Sequence, residues 1–542
     1  MIEKLFGGIF VKNKKFWSLG LMLLLVLSTV LAACGADDKE ESSGSKSKDA
    51  NGSNILVYGR GGDSVTLDPA QATDGESFKV TTNVYETLVN FGEEDVTIRS
   101  GLAKSWETAE DGLTYTFQLE EGVKFHDGTN FNAEAVVKNF ERWKNGGDKF
   151  AYYQSQFVVG EKQVIESITA EGDYTVVIKL SQPQAPFLKN LAMTAFAIAS
   201  PAVFEANDDA LSEKPVGTGP FTFVEWKRND SVTIEKNPEY RIDGLPKLDK
   251  VVYRSIPDNS TRLNALSTGE IDIAEGLSPA DGATLEANAD LQLVERPSMN
   301  VGYLGLTANR APFDNVKVRQ AVNYAIDKQA IVEAFFEGYA EVAKNPIPPV
   351  INGYNDDIEG YNYDPEKAKA LLAEAGYDGK EIELWAMPVS RPYMPDGQKI
   401  AEAIQKNLAD VGMPSKIVTF EWATYIEKTQ NGEADAFLLG WTGDNGDADN
   451  FIYTLLDGDN IGSNNYSYYD NQELHKLLVA AQTEVDESKR NELYKQAQVI
   501  INEDAPWVNI AHSKSIIGAG GNVKNYIAHP TGTDKLAKVE VN

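Results

Sequence analysis

The apolar and polar positions divide the chain into three segments with different residue patterns. Residues 16–33 (FWSLGLMLLLVLSTVLAA) form one apolar run behind four lysines, and residues 35–54 are polar and rich in Ser and Gly. From residue 55 onward, apolar and polar residues alternate in short blocks. A basic stretch followed by an apolar run that ends in small residues is typical of an export signal. We therefore expect a signal peptide at 1–33, a flexible tether at 34–54 and a folded body from residue 55.

The first half of the body has the pattern of short strands. Residues 55–58, 114–119 (TYTFQL) and 174–180 (YTVVIKL) are rich in β-branched and aromatic residues and are bounded by Gly, Asp or Pro. In the second half, strand patterns at 381–386 and 436–439 alternate with longer helical patterns. This half is therefore predicted to form an open sheet covered by helices.

Helix signals are clearest in the second half. Asp364-Pro365 followed by EKAKALLAEAG supplies an N-cap, a proline in the first turn and a stop at Gly376. Further helices are predicted at 316–325, 327–336, 397–411 and 487–502. A first half with mainly strand patterns and a second half in which strands alternate with helices predict two lobes with a cleft between them.

Charge and cysteine content exclude several classes of function. The 542 residues contain 50 Lys+Arg and 81 Asp+Glu, a net charge of −31, which becomes −34 without the +3 of residues 1–33. Such a surface repels nucleic acids and anionic membranes. The single cysteine excludes a disulfide framework and any site that needs several thiolates.

That cysteine, Cys34, directly follows Leu31-Ala32-Ala33. Leu-Ala-Ala-Cys resembles the bacterial lipobox, in which the cysteine is lipidated and becomes the first residue of the mature chain. We therefore predict a lipid anchor at Cys34. The alternative is an uncleaved membrane-spanning segment, because 18 apolar residues are near the spanning minimum. Either anchor places the body outside the cell.

Motifs for the common catalytic chemistries are absent from the sequence. GxxxxGK[ST], HExxH and GxSxG do not occur, and Gly59-Arg60-Gly61-Gly62 lacks the third glycine of a dinucleotide loop. The stretch 444–449 has no register that matches a calcium loop. No cofactor, metal or enzymatic activity is therefore predicted, although residues distant in sequence can converge. The four histidines lie far apart along the chain: His126, His475, His512 and His529.

Two loops carry the remaining candidate chemistry. Residues 440–447 (GWTGDNGD) follow the apolar run 436–439, and Arg391 follows a second strand pattern within SRPYMP at 390–395. Ligands bind at such strand ends in open α/β sheets. An arginine and Asp444 on separate loops could clamp a zwitterion, whereas the alternative is a solvated loop and a surface turn.

Several stretches together resemble one known family. These are LAKSWE at 102–107, EDGLTYTF at 110–117, GVKFHDGT at 122–129, PVGTGPF at 215–221 and NVKVRQAVNYAI at 315–326. They are similar to signatures of family 5 of the extracytoplasmic solute-binding proteins, the peptide-binding components of ABC importers. The resemblance extends from about residue 55 to the C-terminus.

The resemblance implies a set of binding residues. The segments 385–395 and 440–451 look most like the dipeptide-binding branch, in which an arginine holds the ligand carboxylate and an aspartate holds its ammonium. By position these are Arg391 and Asp444. Thr73 matches a first-lobe residue that contacts the ligand backbone. The pocket-lining positions on the second of these segments are Gly440, Trp441 and Gly443.

The resemblance also implies an architecture. It is an α/β, two-lobed periplasmic-binding-protein-like fold with a hinge and an additional subdomain in the first lobe. The expected division is 55–297 and 509–542 for lobe I and 298–508 for lobe II, with crossings near 295–298 and 507–512. Closure around the ligand would then allow docking on a permease.

The implied function is capture of short peptides, by preference dipeptides, outside the cell and their delivery to an ABC transporter permease by a lipid-anchored monomer. Alternative solutes for the same role are oligopeptides, glutathione, haem or nickel. An extracellular hydrolase and a purely structural or signalling lipoprotein are the competing classes.

Overall fold

The computed structural model of the chain describes residues 54–159 and 162–542. The predicted signal peptide and Cys34 lie outside these residues. The described strands, numbered β1 to β23 in chain order, are Ile55–Arg60, Val89–Phe91, Ile98–Ser100, Ala103–Thr108, Thr114–Leu119, Val158–Val159, Lys162–Gln163, Ile165–Ala170, Thr175–Leu180, Phe221–Lys227, Ser231–Lys236, Lys250–Ser255, Ile273–Leu277, Leu291–Arg296, Asn300–Leu306, Ala340–Val342, Ile382–Trp385, Ser415–Val418, Ala436–Thr442, Trp507–Ser513, Ser515–Gly520, Val523–Lys524 and Glu540–Val541.

The described α-helices are numbered α1 to α15 in the same way. They are Gly75–Val84, Ala133–Asn145, Ala151–Gln156, Phe187–Leu191, Pro201–Ala206, Asn259–Ser267, Gly282–Ala287, Val316–Ala325, Lys328–Phe335, Pro365–Glu374, Gly397–Asp410, Trp422–Gln430, Asp449–Leu456, Gln472–Thr483 and Glu487–Asp504.

The predicted elements of the body are confirmed, with boundaries shifted by at most three residues. The helix α10 shows why its sequence signals were sufficient. The carboxylate of Asp364 accepts the backbone N–H of Lys367 at 2.9 Å, Pro365 occupies the first helical position, and Gly376 has a φ of +68°. These three local devices fix both ends of the helix without help from tertiary packing.

The first large sheet has seven strands in the order β10-β11-β12-β1-β13-β21-β14. The central strand β1 runs parallel to both neighbours, with Ile55 opposite Lys250 and Tyr58 opposite Ile273. A strand buried between parallel neighbours is expected to be apolar, which explains the ILVY run at its start. All strands of this sheet except β21 come from the part of the chain before residue 297.

The second large sheet has six strands in the order β16-β20-β15-β19-β17-β18. Antiparallel pairs surround β15, whereas β17 runs parallel to β18 and β19. One apolar core, whose buried members run from Met299 to Ala511, packs around it. The chain changes sheet between β14 and β15 and again between β20 and β21. The expected domain limits at 297 and 508 stay a prediction.

A separate four-stranded sheet, β4-β5-β9-β8, forms the additional subdomain of the first lobe. Its core is aromatic, since Phe117, Trp143, Phe157 and Phe196 are all buried in one cluster. The ring centroids of Phe157 and Phe196 are 4.7 Å apart. With its own sheet and core, this subdomain completes the predicted two-lobed α/β fold.

None of the helices in the described ranges combines the length and the apolar character that a membrane crossing requires.

Candidate ligand-binding site

The strand β19 and the loop after it carry most of the predicted site. This strand pairs with β15, so that Gly302 lies opposite Gly440 and Val301 opposite Trp441. The chain then leaves the sheet and re-enters regular structure at α13. Residues 443–448 are therefore presented at a strand end.

A turn that carries Arg391 packs directly on this strand. The backbone N–H of Arg391 donates to the carbonyl of Met394 at 3.1 Å, and the reverse bond measures 2.9 Å. Tyr393 in the same turn covers Gly440, where a Cβ would lie 2.2 Å from the ring and 2.5 Å from the carbonyl oxygen of Val301. Glycine is needed at 440 so that the arginine turn can approach the strand.

The guanidinium of Arg391 has no carboxylate partner. It is exposed, donates to the carbonyl oxygen of Ser390 at 3.2 Å and lies 5.8 Å from the ring centroid of Trp422. It also donates to the hydroxyl of Tyr393. Within the described part of the chain, no Asp or Glu oxygen lies within 4.0 Å of it. A positive charge without a carboxylate partner among the described residues therefore lies on the turn that packs against β19.

Asp444 lies on the loop that follows the strand, and Asn450 fixes the loop in place. The Oδ1 atom of Asn450 accepts the indole N–H of Trp441 at 2.9 Å and the backbone N–H of Asp444 at 3.2 Å. Asp444 is half-buried. One amide side chain thus sets the position of the aromatic ring and of the carboxylate together.

The carboxylate of Asp444 contacts a residue of the other lobe. The hydroxyl of Tyr152, on α3 of the first-lobe subdomain, donates to it. Burial raises the pKa of Asp444 to about 6, and the hydrogen bond from Tyr152 limits that rise. Among the described residues no Lys, Arg or His forms an ion pair with this carboxylate. Asp444 is therefore a desolvated acid that lacks a cation.

The next acid on the same loop, Asp447, is fully paired. Arg490 donates to its two oxygens at 2.7 Å each, and the ammonium of Lys189 lies 3.4 Å away. Burial alone would raise the pKa of Asp447, but Arg490 and then Lys189 outweigh it, and the pKa lies well below its usual range. The charge of Asp447 is therefore compensated by two basic side chains of the protein.

The loop also contacts the first-lobe subdomain through two hydrogen bonds besides the ion pairs of Asp447. The side-chain amide of Asn445 donates to the Oδ1 atom of Asn190 at 2.8 Å, and Lys189 donates to the carbonyl oxygen of Gly446 at 2.7 Å. Gly446 has a φ of +64°, and a Cβ there would lie 2.4 Å from Val96. Asp444 therefore lies where the two lobes meet.

Thr73 is exposed and precedes Asp74, the N-cap residue of α1. The pKa of Tyr152 is raised well above its usual range, first by burial and then by the charge of Asp444. The charge of Asp74 also raises it. Phe78 of α1 packs edge-on against the Tyr152 ring at 6.0 Å. Tyr152 thus links the Thr73 segment to Asp444.

Two other predicted positions have structural explanations of their own. Gly443 donates its N–H to the carbonyl oxygen of Met299 at 2.9 Å, and a Cβ on it would lie 2.6 Å from the ring of Phe451. Gly440 lies under Tyr393, as described. A contact of either glycine with a ligand stays a prediction, as do the ligand contacts of the other predicted site residues.

Sequence reasoning missed Tyr152 and Asn450. Tyr152 belongs to a different lobe, and no local pattern relates it to a residue almost 300 positions later. Asn450 lies within the matched segment 440–451, and its short polar side chain next to a loop of small residues was a usable signal.

Three side chains with metal-ligand chemistry also converge in the described part of the chain. They are Asp457, Asp459 and His475, whose ligand atoms lie within 4.8 Å of one another. The Nδ1 atom of His475 is 3.1 Å from Asp457 Oδ1, and this hydrogen bond raises the pKa of His475. The distances are those of an ion pair that connects α14 to the end of α13.

The two-lobed α/β fold, with a carboxylate where the lobes meet, is that of a class of solute-binding proteins. A family profile described as bacterial extracellular solute-binding proteins, family 5 Middle, matches residues 97–463. The chain belongs to this family.

Individual relatives cover nearly the whole chain. The dipeptide-binding protein of Escherichia coli K12 is 39% identical over 509 residues, 90% of this chain and 94% of that protein. Heme-binding protein A of Haemophilus influenzae is 37% identical over 540 residues, 96% of this chain and 98% of that protein. The solved structure of the periplasmic binding protein DppA from Helicobacter pylori with the peptide STSA is 36% identical, with a TM-score of 0.78. It covers 90% of this chain and 98% of its own.

Proposed function

We propose that this protein captures short peptides, by preference dipeptides, outside the cell and delivers them to an ABC transporter permease. One observation carries the proposal. Arg391 and Asp444 hold opposite charges on neighbouring loops, with no charged partner among the described residues, whereas Asp447, on the loop of Asp444, is paired with two basic side chains. The names of the Escherichia coli and Helicobacter pylori relatives support a peptide ligand.

The assignment of ligand ends follows from charge. A free dipeptide carries an ammonium and a carboxylate, and burial of either without a partner costs several kcal/mol. Asp444 receives the ammonium and Arg391 receives the carboxylate. Trp441, Gly440 and Gly443 line the peptide from the second lobe.

The first lobe supplies Thr73 for the peptide backbone and Tyr152 for Asp444. Ligand binding brings the lobes together, since groups from both then contact one molecule. No covalent bond changes in this process, and the peptide is released intact to the permease.

Calorimetry with Ala-Ala tests the proposal. We expect saturable 1:1 binding, a smaller radius of gyration by small-angle scattering with ligand, and intact peptide by mass spectrometry after incubation. Tri- to pentapeptides that bind far more tightly than any dipeptide would contradict the dipeptide preference. Hydrolysis of the peptide would contradict the transport role.

We further propose that Cys34 carries the lipid that anchors the protein. This follows from the Leu31-Ala32-Ala33-Cys34 sequence and the polar tether behind it. Cys34→Ala should release the protein to the medium or leave an unprocessed precursor. A processed protein that still sediments with membranes would refute the lipid assignment.

Haem is the second candidate ligand, because a relative that matches 96% of this chain carries the name heme-binding protein A. Native mass spectrometry of the protein as purified separates the two ligands. Peptide masses favour the first proposal, and a bound mass equal to that of haem favours the second.

A further inference from the structure

A cavity of about 1100 Å³ lies within the first lobe. Its walls come from the C-terminal end of α1, the hairpin of β2 and β3, and the segments 192–197, 240–247 and 525–540. No lining residue falls between 298 and 513, which is the part of the chain that supplies Arg391 and Asp444. The cavity is therefore separate from the peptide site, and its volume is at the upper end of that of small-molecule sites.

The charge of this cavity is opposite to that of the protein as a whole. The chain has 81 acidic and 50 basic residues. The cavity lining contains three acids, Glu86, Glu93 and Glu540, and five bases. The bases are Arg99, Arg241, Lys247, Lys535 and Lys538. A concave surface with an excess of one charge concentrates ligands of the other charge.

Two of the five bases are neutralised by the wall itself. Arg241 forms an ion pair with Glu86, with Nε and Oε1 3.0 Å apart, and Lys538 forms one with Glu93. The other three have no carboxylate oxygen within 4.0 Å among the residues that the structure describes. They are Arg99, Lys247 and Lys535.

Lys535 has the most constrained position of these three. Its neighbour Asp534 is paired with Arg296 at 2.7 Å, and the N–H of Leu536 donates to Asn83 at 2.8 Å. Lys535 is an exposed residue of the cavity lining. Desolvation by the surrounding wall lowers the pKa of its amine to about 8, although the more distant charges of Glu86 and Glu93 act in the opposite direction. The backbone on both sides is thus fixed, and the amine is held in an environment that an anion would improve.

Apolar side chains form much of the remaining wall. Phe91, Ile242, Leu245 and Ile527 line the cavity together with several alanines. Ile242 is 39% exposed, so its apolar surface is accessible to a ligand. An apolar surface beside an unpaired cation matches a ligand with an apolar body and one negative group.

We propose that this cavity binds a small organic carboxylate with an apolar body, with Lys535 as the partner of the carboxylate. The ligand binds independently of the peptide, since the two sites share no residue. This gives the first lobe a binding site of its own.

Octanoate is the probe, because it is ionised at pH 7 and has an apolar chain. Calorimetry of the mature protein with saturating Ala-Ala should show 1:1 binding of octanoate. Octanamide, which has nearly the same shape without the charge, should bind at least tenfold more weakly. This pair of ligands tests the role of charge without any substitution.

Variants then locate the site. Lys535→Met should weaken octanoate binding at least tenfold, Lys535→Arg should largely retain it, and both should bind Ala-Ala as the wild type does. The matched control is Lys236→Met, an exposed lysine of the same lobe outside the cavity, which should change nothing. Arg391→Ala should leave octanoate binding intact.

Four results would overturn the proposal. These are absence of saturable octanoate binding, equal affinity for octanamide, an unchanged affinity in Lys535→Met, and loss of octanoate binding in Arg391→Ala or on addition of Ala-Ala. The last pattern would place octanoate in the peptide site.

Discussion

Asp444 and Asp447 lie three residues apart on one loop, and their surroundings differ sharply. Burial acts on both carboxylates. Around Asp447, Arg490 and Lys189 overcome that effect and hold the pKa well below its usual range, whereas Asp444 receives one tyrosine hydroxyl and its pKa rises to about 6. The charge of Asp447 is compensated within the folded protein. Asp444 has no cationic partner among the residues that the structure describes.

The same contrast holds for two of the arginines of the second lobe. Arg490 is bidentate to Asp447, and Arg391 is exposed beside Trp422 without a carboxylate partner. Paired charges therefore stabilise the loop, and unpaired charges are presented at its edge.

The largest effect is expected from Asp447→Ala. This change leaves the buried guanidinium of Arg490 uncompensated, which typically costs about 3 to 5 kcal/mol of unfolding free energy. Urea denaturation measures the loss, and Asp444→Ala is the matched control, which should leave the free energy of unfolding nearly unchanged. Equal losses of unfolding free energy in Asp447→Ala and Asp444→Ala would show that the two carboxylates contribute to stability in the same way.

Arg391→Ala should weaken Ala-Ala binding about a hundredfold without loss of stability, because the side chain is exposed and only the ligand carboxylate depends on it. Arg391→Lys should restore part of the affinity, since an ammonium lacks the planar two-donor fork. Calorimetry with C-amidated Ala-Ala is the control. The assignment is wrong if Arg391→Ala weakens the amide as much as the free acid.

Acid should weaken dipeptide binding through Asp444. Its pKa of about 6 means that the carboxylate is ionised above pH 6 and protonated below it. Only the ionised form pairs with an ammonium, so affinity should fall as pH drops from 7 to 5, by about tenfold at pH 5. Calorimetry at several pH values gives the midpoint.

Two variants check this pH dependence. Asp444→Asn should remove the fall over this range. The control is Asp449, whose pKa is raised to about 7 by burial and then by Asp447, so that it titrates in the same pH range. Asp449→Asn should still show the fall in Ala-Ala affinity at low pH. If the fall in affinity persists in Asp444→Asn and disappears in Asp449→Asn, the pH dependence comes from Asp449 and the assignment to Asp444 is wrong.

The smallest effect is expected from Tyr152→Phe. The Tyr152 hydroxyl stabilises the ionised form of Asp444, so its removal should raise the pH midpoint of Ala-Ala binding. Affinity at pH 7 should fall a few-fold, because one hydrogen bond contributes about 0.5 to 1.5 kcal/mol. Tyr153→Phe, in the neighbouring core, is the control. An unchanged pH midpoint would mean that the Tyr152 hydroxyl does not stabilise ionised Asp444 and that the side chain serves only in packing.

Local features of the fold were predictable from sequence because their causes are local. The cap at Asp364, the stop at Gly376 and the period of 114–119 each act within a few residues. The loop after β19 and the arginine turn were identified for the same reason, since both follow an apolar strand pattern directly.

The distinction between Asp444 and Asp447 was not predictable. Sequence shows one acidic stretch, and only the assembled lobes show that Arg490, 43 residues later, reaches one acid and Tyr152 the other. Gly440 is a similar case. Its lack of a side chain is required by Tyr393, which the sequence alone places in a different turn.

The most direct test of the account is a cycle that combines Asp444→Asn with removal of the ligand's ammonium. Calorimetry gives the affinities of both proteins for Ala-Ala and for N-acetyl-Ala-Ala. We predict that the substitution weakens Ala-Ala about a hundredfold or more but changes the acetylated ligand little, with a coupling energy well above about 1 kcal/mol. A coupling near zero would show that Asp444 does not meet the ammonium and that its loop is a surface feature.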